Sequence, residues 1–167
     1  MKTFTYSIFA RLFYRYANIP ITLLLLLSLL SAMGGVYTSW FYIFPLLIDI
    51  IIIYAINRYY IKSYIFFPYR IEADNERLVC SDFFFSRKII ELDHDSITRI
   101  TGGIFSGNIA RPIYLHDDDN EITIGFNNHL KNYDKLLTII LSNIKQDLYD
   151  DLLEKIKNFG ISKRNKR

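Results

Sequence analysis

Cysteine is nearly missing: Cys80 is the single one in 167 residues, so no internal disulfide forms and a reducing compartment suits the chain. Charge is missing in a more telling place. Residues 1–67 hold only Lys2, Arg11, Arg15, Asp49, Arg58 and Lys62, and none falls between Ile19 and Val36. The motifs of common chemistry are also lacking. Gly102-Gly103-Ile104-Phe105-Ser106-Gly107 has neither the lysine nor the following hydroxyl of a phosphate-binding loop. Asp117-Asp118-Asp119-Asn120-Glu121 fails as a calcium loop, because its sixth position, where a glycine is needed, is Ile122. In Asp93-His94-Asp95, strand neighbours would point to opposite faces, and His116 and His129 stand apart, so no metal site is expected. No Ser/His/Asp or Cys/His arrangement stands out, and Cys80 sits in an apolar strand as a small core residue. The expectation is a protein that is not an enzyme and uses no cofactor.

What the chain does have is one apolar double stretch from Ile19 to Ile61. Its core, Leu23-Leu24-Leu25-Leu26-Leu27-Ser28-Leu29-Leu30, is almost pure hydrocarbon, and roughly 18–20 helical residues cross a bilayer core about 30 Å thick. Spans at about 19–36 and 40–58 are expected, joined through Gly34-Gly35-Val36-Tyr37-Thr38-Ser39, in a hairpin region covering 19–67. Pro20 suits a first helical turn. A cleaved signal sequence is the weaker reading, since a second apolar span follows at once. Lys2, Arg11 and Arg15 precede the hairpin and Arg58 and Lys62 follow it, while the turn has no basic residue. That bias puts both termini in the cytoplasm, with Arg11, Arg15, Arg58 and Lys62 at the surface of the inner (cytoplasmic) membrane. Residues 1–18, with Phe4, Ile8, Leu12 and Tyr16 four apart, read as an interfacial amphipathic helix.

Asp49 does not fit a plain anchor. It lies nine residues beyond Trp40, roughly 13–14 Å deep at 1.5 Å per residue, where an ionised carboxylate is costly. It is the candidate intramembrane polar contact; the plainer reading pairs it with Ser28, Tyr54 or a second copy.

After Pro68 the pattern changes to short strand-like pieces: Tyr69 to Ala73, Arg77 to Phe85, Arg87 to Leu92, Ser96 to Thr101, Ile109 to Leu115 and Glu121 to Phe126. The clearest is the last, where Ile122, Ile124 and Phe126 alternate with Thr123 and Gly125. Pro112 belongs at a sheet edge or bulge. Asn132 is placed to cap a helix whose Leu136, Leu137, Ile140, Leu141 and Ile144 share a face. Leu148, Leu152, Ile156 and Phe159 predict a second helix ending before Gly160, and the basic tail Lys163 to Arg167 is expected to be disordered. Charge follows this division. Residues 1–67 carry five basic and one acidic residue (+4), 68–162 carry 11 basic and 16 acidic (−5), and the tail adds +4, a split that fits a lipid surface rather than nucleic acid.

The two-span hairpin, the Asp74-Asn75-Glu76-Arg77 turn, the piece Leu92-Asp93-His94-Asp95-Ser96-Ile97-Thr98-Arg99-Ile100 and the closing Ile124-Gly125-Phe126-Asn127-Asn128-His129-Leu130-Lys131-Asn132-Tyr133 resemble the membrane-anchored bacterial pleckstrin-homology-like (PH-like) proteins. The resemblance implies an α+β membrane protein: a transmembrane helical hairpin, then a PH-like domain over 68–146 with a bent seven-stranded sheet or partly open barrel closed by a C-terminal helix at Tyr133 to Lys145. Residues 147–167 then form a further helix and tail. The first hairpin is acidic and the closing helix has no tryptophan, so lipid-headgroup recognition is not carried over. The expected function is a non-enzymatic, membrane-tethered interaction or scaffold module, with the lipid bilayer and a protein partner or homo-oligomer as partners and no nucleic acid. Gly102, Gly103, Phe105, Gly107 and Asn108 form its candidate interaction loop. The alternative is an accessory subunit of a transporter or channel, or an immunity protein against a membrane toxin, acting through Asp49.

Overall fold

A computed structural model describes residues 1–84, 86–108 and 111–164, with 159–164 through their backbone. The chain divides into two units, Ile8–Ile65 on one side and Met1–Ser7 with Phe66–Arg167 on the other.

The first unit is a helical hairpin. Helix α1 (Ile8–Tyr16) runs into α2 (Asn18–Val36) almost without interruption, because Ala17 keeps helical dihedrals and its N–H donates to Phe13 O at 3.1 Å. Pro20 cannot donate to the Tyr16 carbonyl, which accounts for the small irregularity at the junction. The turn is closed by Thr38 and Ser39 N–H groups on Gly35 O at 2.8 and 2.9 Å, and a 3-10 turn at Trp40–Tyr42 leads into α3 (Ile43–Phe66). Gly35 is required here: a Cβ would stand 2.5 Å from the Tyr42 ring. At the open end, Asn57 Nδ2 donates to Thr22 Oγ1 at 3.1 Å, and Tyr64 OH lies 2.8 Å from Arg15 O and 2.7 Å from Asn18 Oδ1. Ile8–Val36 and Trp40–Phe66 are both long and apolar enough to cross a membrane.

The second unit holds seven strands in two sheets. Strands β1 (Lys2–Thr5), β2 (Arg70–Ala73), β3 (Arg77–Ser81) and β4 (Ile90–Asp93) make an antiparallel sheet in that order. Strands β5 (Arg99–Gly102), β6 (Ile113–Asp117) and β7 (Ile122–Phe126) make a second one. The register explains the first core: Phe4 lies opposite Ile71, Ile71 opposite Cys80, and Leu78 opposite Leu92, so period-2 alternation sends one row of apolar side chains inward. Ile100, Ile113, Leu115, Ile124 and Phe126 do the same in the second sheet, and all are buried, as are Leu136 and Ile140 of α4 (Tyr133–Asn143) and Leu152 of α5 (Gln146–Arg164).

Four expectations are corrected. First, the PH-like fold is not found. The sheets are open, four and three strands wide, and from β1 toward the β7 end the described residues show no ladder, only an isolated bridge from Tyr6 to Leu130 with Lys131 N–H donating to Thr5 O at 3.0 Å and Asn127 N–H to Tyr6 OH at 2.9 Å. A barrel needs an unbroken ladder around its circumference. Here the 3-10 turn His94–Ser96 separates β4 from β5, and no ladder joins those two strands. Second, residues 2–5 are not the start of an amphipathic helix but the edge strand of the first sheet. The four-residue spacing of Phe4 and Ile8 matches a helix, yet Phe4 is buried by pairing with β2. Third, Asn132 does not cap α4 through its side chain. Its backbone adopts the left-handed conformation (φ 57°), and its carbonyl accepts from Lys135 and Leu136 N–H at 3.0 and 3.2 Å. Fourth, helix α5 runs through Gly160 to Arg164, so residues 163–164 are helical. The rest of the tail, 165–167, and the strand start at Ile109 lie outside the described residues.

Candidate functional site

Helix α3 buries Asp49, Tyr60 and Ser63. They are 11 and 14 residues apart from Asp49, close to whole helical turns, so one face of α3 carries all three. Asn57 and Tyr64 flank that stripe and make the hydrogen bonds to α2 and the α1–α2 junction described above. Asp49 differs from them. It is only 7% exposed, and its Oδ2 has no hydrogen-bond partner among the described residues. The expected pairing with Tyr54 is not made; the Tyr54 hydroxyl instead accepts from Arg58 Nη1 at 2.9 Å. Nor is a bond to Ser28 present. A buried polar oxygen left without a donor is costly, and a hydrogen bond from another chain would relieve that cost.

The basic residues group at the open end of the hairpin. Arg11 and Arg15 lie on α1 and Arg58 and Lys62 on α3, and the Tyr60 hydroxyl on Phe13 O at 3.4 Å with the Tyr64 hydroxyl on Arg15 O places them at one level. The loop from Gly102 to Asn108 is built differently from an open interaction loop. It contains a 3-10 turn, Gly103–Ser106, with Phe105 buried and Asn108 N–H donating to Gly103 O at 3.2 Å. Gly102, Gly103 and Gly107 all have positive φ, which is the reason for the glycines. Phe105 therefore serves the core, and the exposed part is Asn108.

Among the histidines, His94 is 1% exposed, with Nε2 2.9 Å from the Asp74 carbonyl, so that nitrogen carries the proton and fastens the β2–β3 turn. Asp93 and Asp95 point to solvent, so the three residues do not meet. His116 forms a network that its isolation in the sequence hides. The β5–β6–β7 register sets it beside Thr101 and Thr123, whose hydroxyls lie 3.0 Å from Nε2 and 3.1 Å from Nδ1. Thr98 and Arg99 reach Asp118 beside it at 2.9 and 3.4 Å. Asp117 is consumed by the β6–β7 turn, accepting from Asn120 N–H and Nδ2 at 3.1 and 2.8 Å. Among the described residues no three His, Cys, Asp or Glu side chains are gathered as a metal set.

Partial burial holds the His116 pKa below its ordinary value, and Arg99 adds to this while Asp118 opposes it. The neutral ring is thus the native form, and protons bind first to the unfolded chain as pH falls. The stability this contributes is complete above about pH 6.5 and is lost as pH drops through the lower native value. Unfolding midpoints of the detergent-solubilised protein should therefore fall between pH 7.5 and 5 by more in wild type than in His116→Gln; equal shifts would assign the effect to other groups.

No protein family, curated protein or solved structure matches the chain. Function therefore rests on the residues themselves.

Proposed function

We propose that the protein is an integral membrane protein whose two-span hairpin, with both ends cytoplasmic, holds the two-sheet unit at the membrane as a non-enzymatic interaction module. One observation carries this. The hairpin leaves its largest apolar side chains uncovered, Leu24 at 66% and Ile51 at 65%, for example, while the two-sheet unit completes its own core. Water does not tolerate so continuous an apolar surface, whereas lipid requires it. At 29 and 27 residues the two rods reach roughly 40 Å, more than the hydrocarbon core of about 30 Å. The excess suits the end that carries Arg11, Arg15, Arg58 and Lys62, whose charges belong among headgroups.

Asp49 supports a second element of the proposal, a polar contact to a partner span or a second copy. A buried carboxyl oxygen without an internal partner can take its hydrogen bond across the interface instead, an interaction of about 1–2 kcal/mol in a bilayer. Asp49→Asn keeps that hydrogen-bonding capacity and Asp49→Leu removes it. Carbonate extraction should leave all three forms in the membrane. In-membrane crosslinking should recover a complex for wild type and Asp49→Asn, and roughly tenfold less for Asp49→Leu. Release by carbonate would refute the anchor; undiminished crosslinking of Asp49→Leu would refute the contact while leaving the anchor standing.

A further inference from the structure

The chain passes between the two units twice, at Ser7–Ile8 and at Ile65–Phe66, and the register shows where those passages meet the first sheet. Thr5 pairs with Arg70, and Arg70 pairs with Ser81. Thr5 is three residues from Ile8, and Arg70 four residues from Phe66, so this is the end of the sheet at which the chain leaves for the helices and returns from them. The connection from β3 to β4 starts at that same end. Its first residue is tied to the incoming chain, since Tyr69 N–H donates to Asp82 O at 3.2 Å.

That connection closes with Ser86-Arg87-Lys88-Ile89, all exposed. Ile89 is 66% exposed, more than any other large apolar side chain described in the two-sheet unit. The core gains nothing from an isoleucine there. The two residues before it are basic, and the Lys88 ammonium stands 4.4 Å over the buried Phe83 ring of the same connection. The far end of the same sheet has a different balance: Asp74 and Glu76 in the β2–β3 turn, Asp93 at the end of β4 and Asp95 after it share that end with Lys2 and Arg77, and Arg77 is paired with Glu91 at 2.8 Å. The two ends of the sheet therefore differ in balance: where the chain joins the helices, Arg70, Arg87 and Lys88 outnumber Asp82 beside the exposed Ile89, and at the other end Asp74, Glu76, Asp93 and Asp95 outnumber Lys2 and Arg77.

We infer that Arg87, Lys88 and Ile89 form a second membrane contact, the two cations on anionic lipid headgroups and Ile89 inserted at the interface. This rests on the membrane-anchored reading above and adds a surface that holds the two-sheet unit down rather than leaving it free on its tethers. A basic pair beside one exposed apolar side chain suits an anionic lipid surface because the charges stay among phosphates while the isoleucine leaves water.

Trp40 is the single tryptophan, which gives a clean optical test on the full chain. Wild type, Trp40→Phe/Ile89→Trp and Trp40→Phe/Asn75→Trp are reconstituted into vesicles of phosphatidylcholine with phosphatidylglycerol, with and without brominated acyl chains. Emission from position 89 should shift to the blue and be quenched by the brominated lipid comparably to Trp40, and position 75, on the acidic end, should not. Replacing the phosphatidylglycerol by phosphatidylcholine, raising the salt, or adding Arg87→Glu/Lys88→Glu should each remove the quenching at position 89 and leave that of Trp40 unchanged. Quenching at 89 no greater than at 75, with Trp40 still quenched, overturns this inference alone. Loss of quenching at Trp40 overturns the membrane anchor itself.

Discussion

Phe4→Ala is expected to accelerate modification of the Cys80 thiol by on the order of 100-fold or more in the detergent-solubilised protein. Cys80 is fully buried in β3, and burial pushes its pKa up to about 12, so reagent meets it only when the sheet opens. Phe4 is 2% exposed and stands in the row Phe4, Ile71, Cys80 across β1, β2 and β3. Truncating a buried phenylalanine costs about 3–5 kcal/mol, and each 1.4 kcal/mol is tenfold in an opening equilibrium. Leu12→Ala, on the exposed side of α1, is the matched control and should leave the rate unchanged. The comparison is decisive because the two positions would be equivalent on a surface helix running through residues 1–18. If both substitutions were silent toward Cys80, the placement of residues 2–5 in the sheet would be refuted.

Gly102→Ala should be the most damaging glycine substitution in the second sheet. The residue has φ 84° and ψ −170°, a region essentially reserved for glycine, and a Cβ there would stand 2.0 Å from the Pro112 carbonyl oxygen. The obstacle is backbone, and it cannot swing aside: Gly103 N–H bonds that same oxygen at 3.2 Å at the β5–β6 edge. Strain and displacement together should cost about 3 kcal/mol or more. Hydrogen exchange of the 113–126 segment should speed up by on the order of 100-fold. Gly107, at φ 72° and ψ 9°, is in the ordinary left-handed basin that asparagine tolerates, so Gly107→Asn should change exchange by less than tenfold. Equal effects of the two substitutions would mean that conformation at Gly102 is not what the turn depends on. The positive φ at Gly102 and Gly103 accounts for glycine at these positions by backbone conformation.

Much of the candidate site was readable before any coordinates. Asp49 stands out because it is the one acidic residue in a long apolar run, and Arg11, Arg15, Arg58 and Lys62 because they bracket that run. The His116 network was not readable. Thr101 and Thr123 lie fifteen residues before and seven after it, and only the pairing of β5, β6 and β7 makes them neighbours. The Arg87-Lys88-Ile89 surface was hidden for the same reason: its residues read as the start of a strand, and their position at the helix-joined end of the sheet is a fact of register.

The helices could be read from sequence because their hydrogen bonds close four residues away, and because the apolar runs around Leu23 to Leu30 and Ile50 to Ile53 need no distant partner to be recognised. Even so, the spacing of Phe4, Ile8, Leu12 and Tyr16 misled, since a four-residue strand carries too little alternation to compete with it. By itself, then, the sequence determined that the protein has two long apolar helices, short strands after Pro68 and one carboxylate out of place. Only the tertiary structure decided that residues 2–5 return to pair with β2, that the strands stop at two open sheets instead of closing, and that Asp49 is buried without a donor. The physical reason is that a strand's hydrogen bonds are satisfied by whichever segment the rest of the chain brings beside it, and for β1 that segment lies beyond the entire helical hairpin.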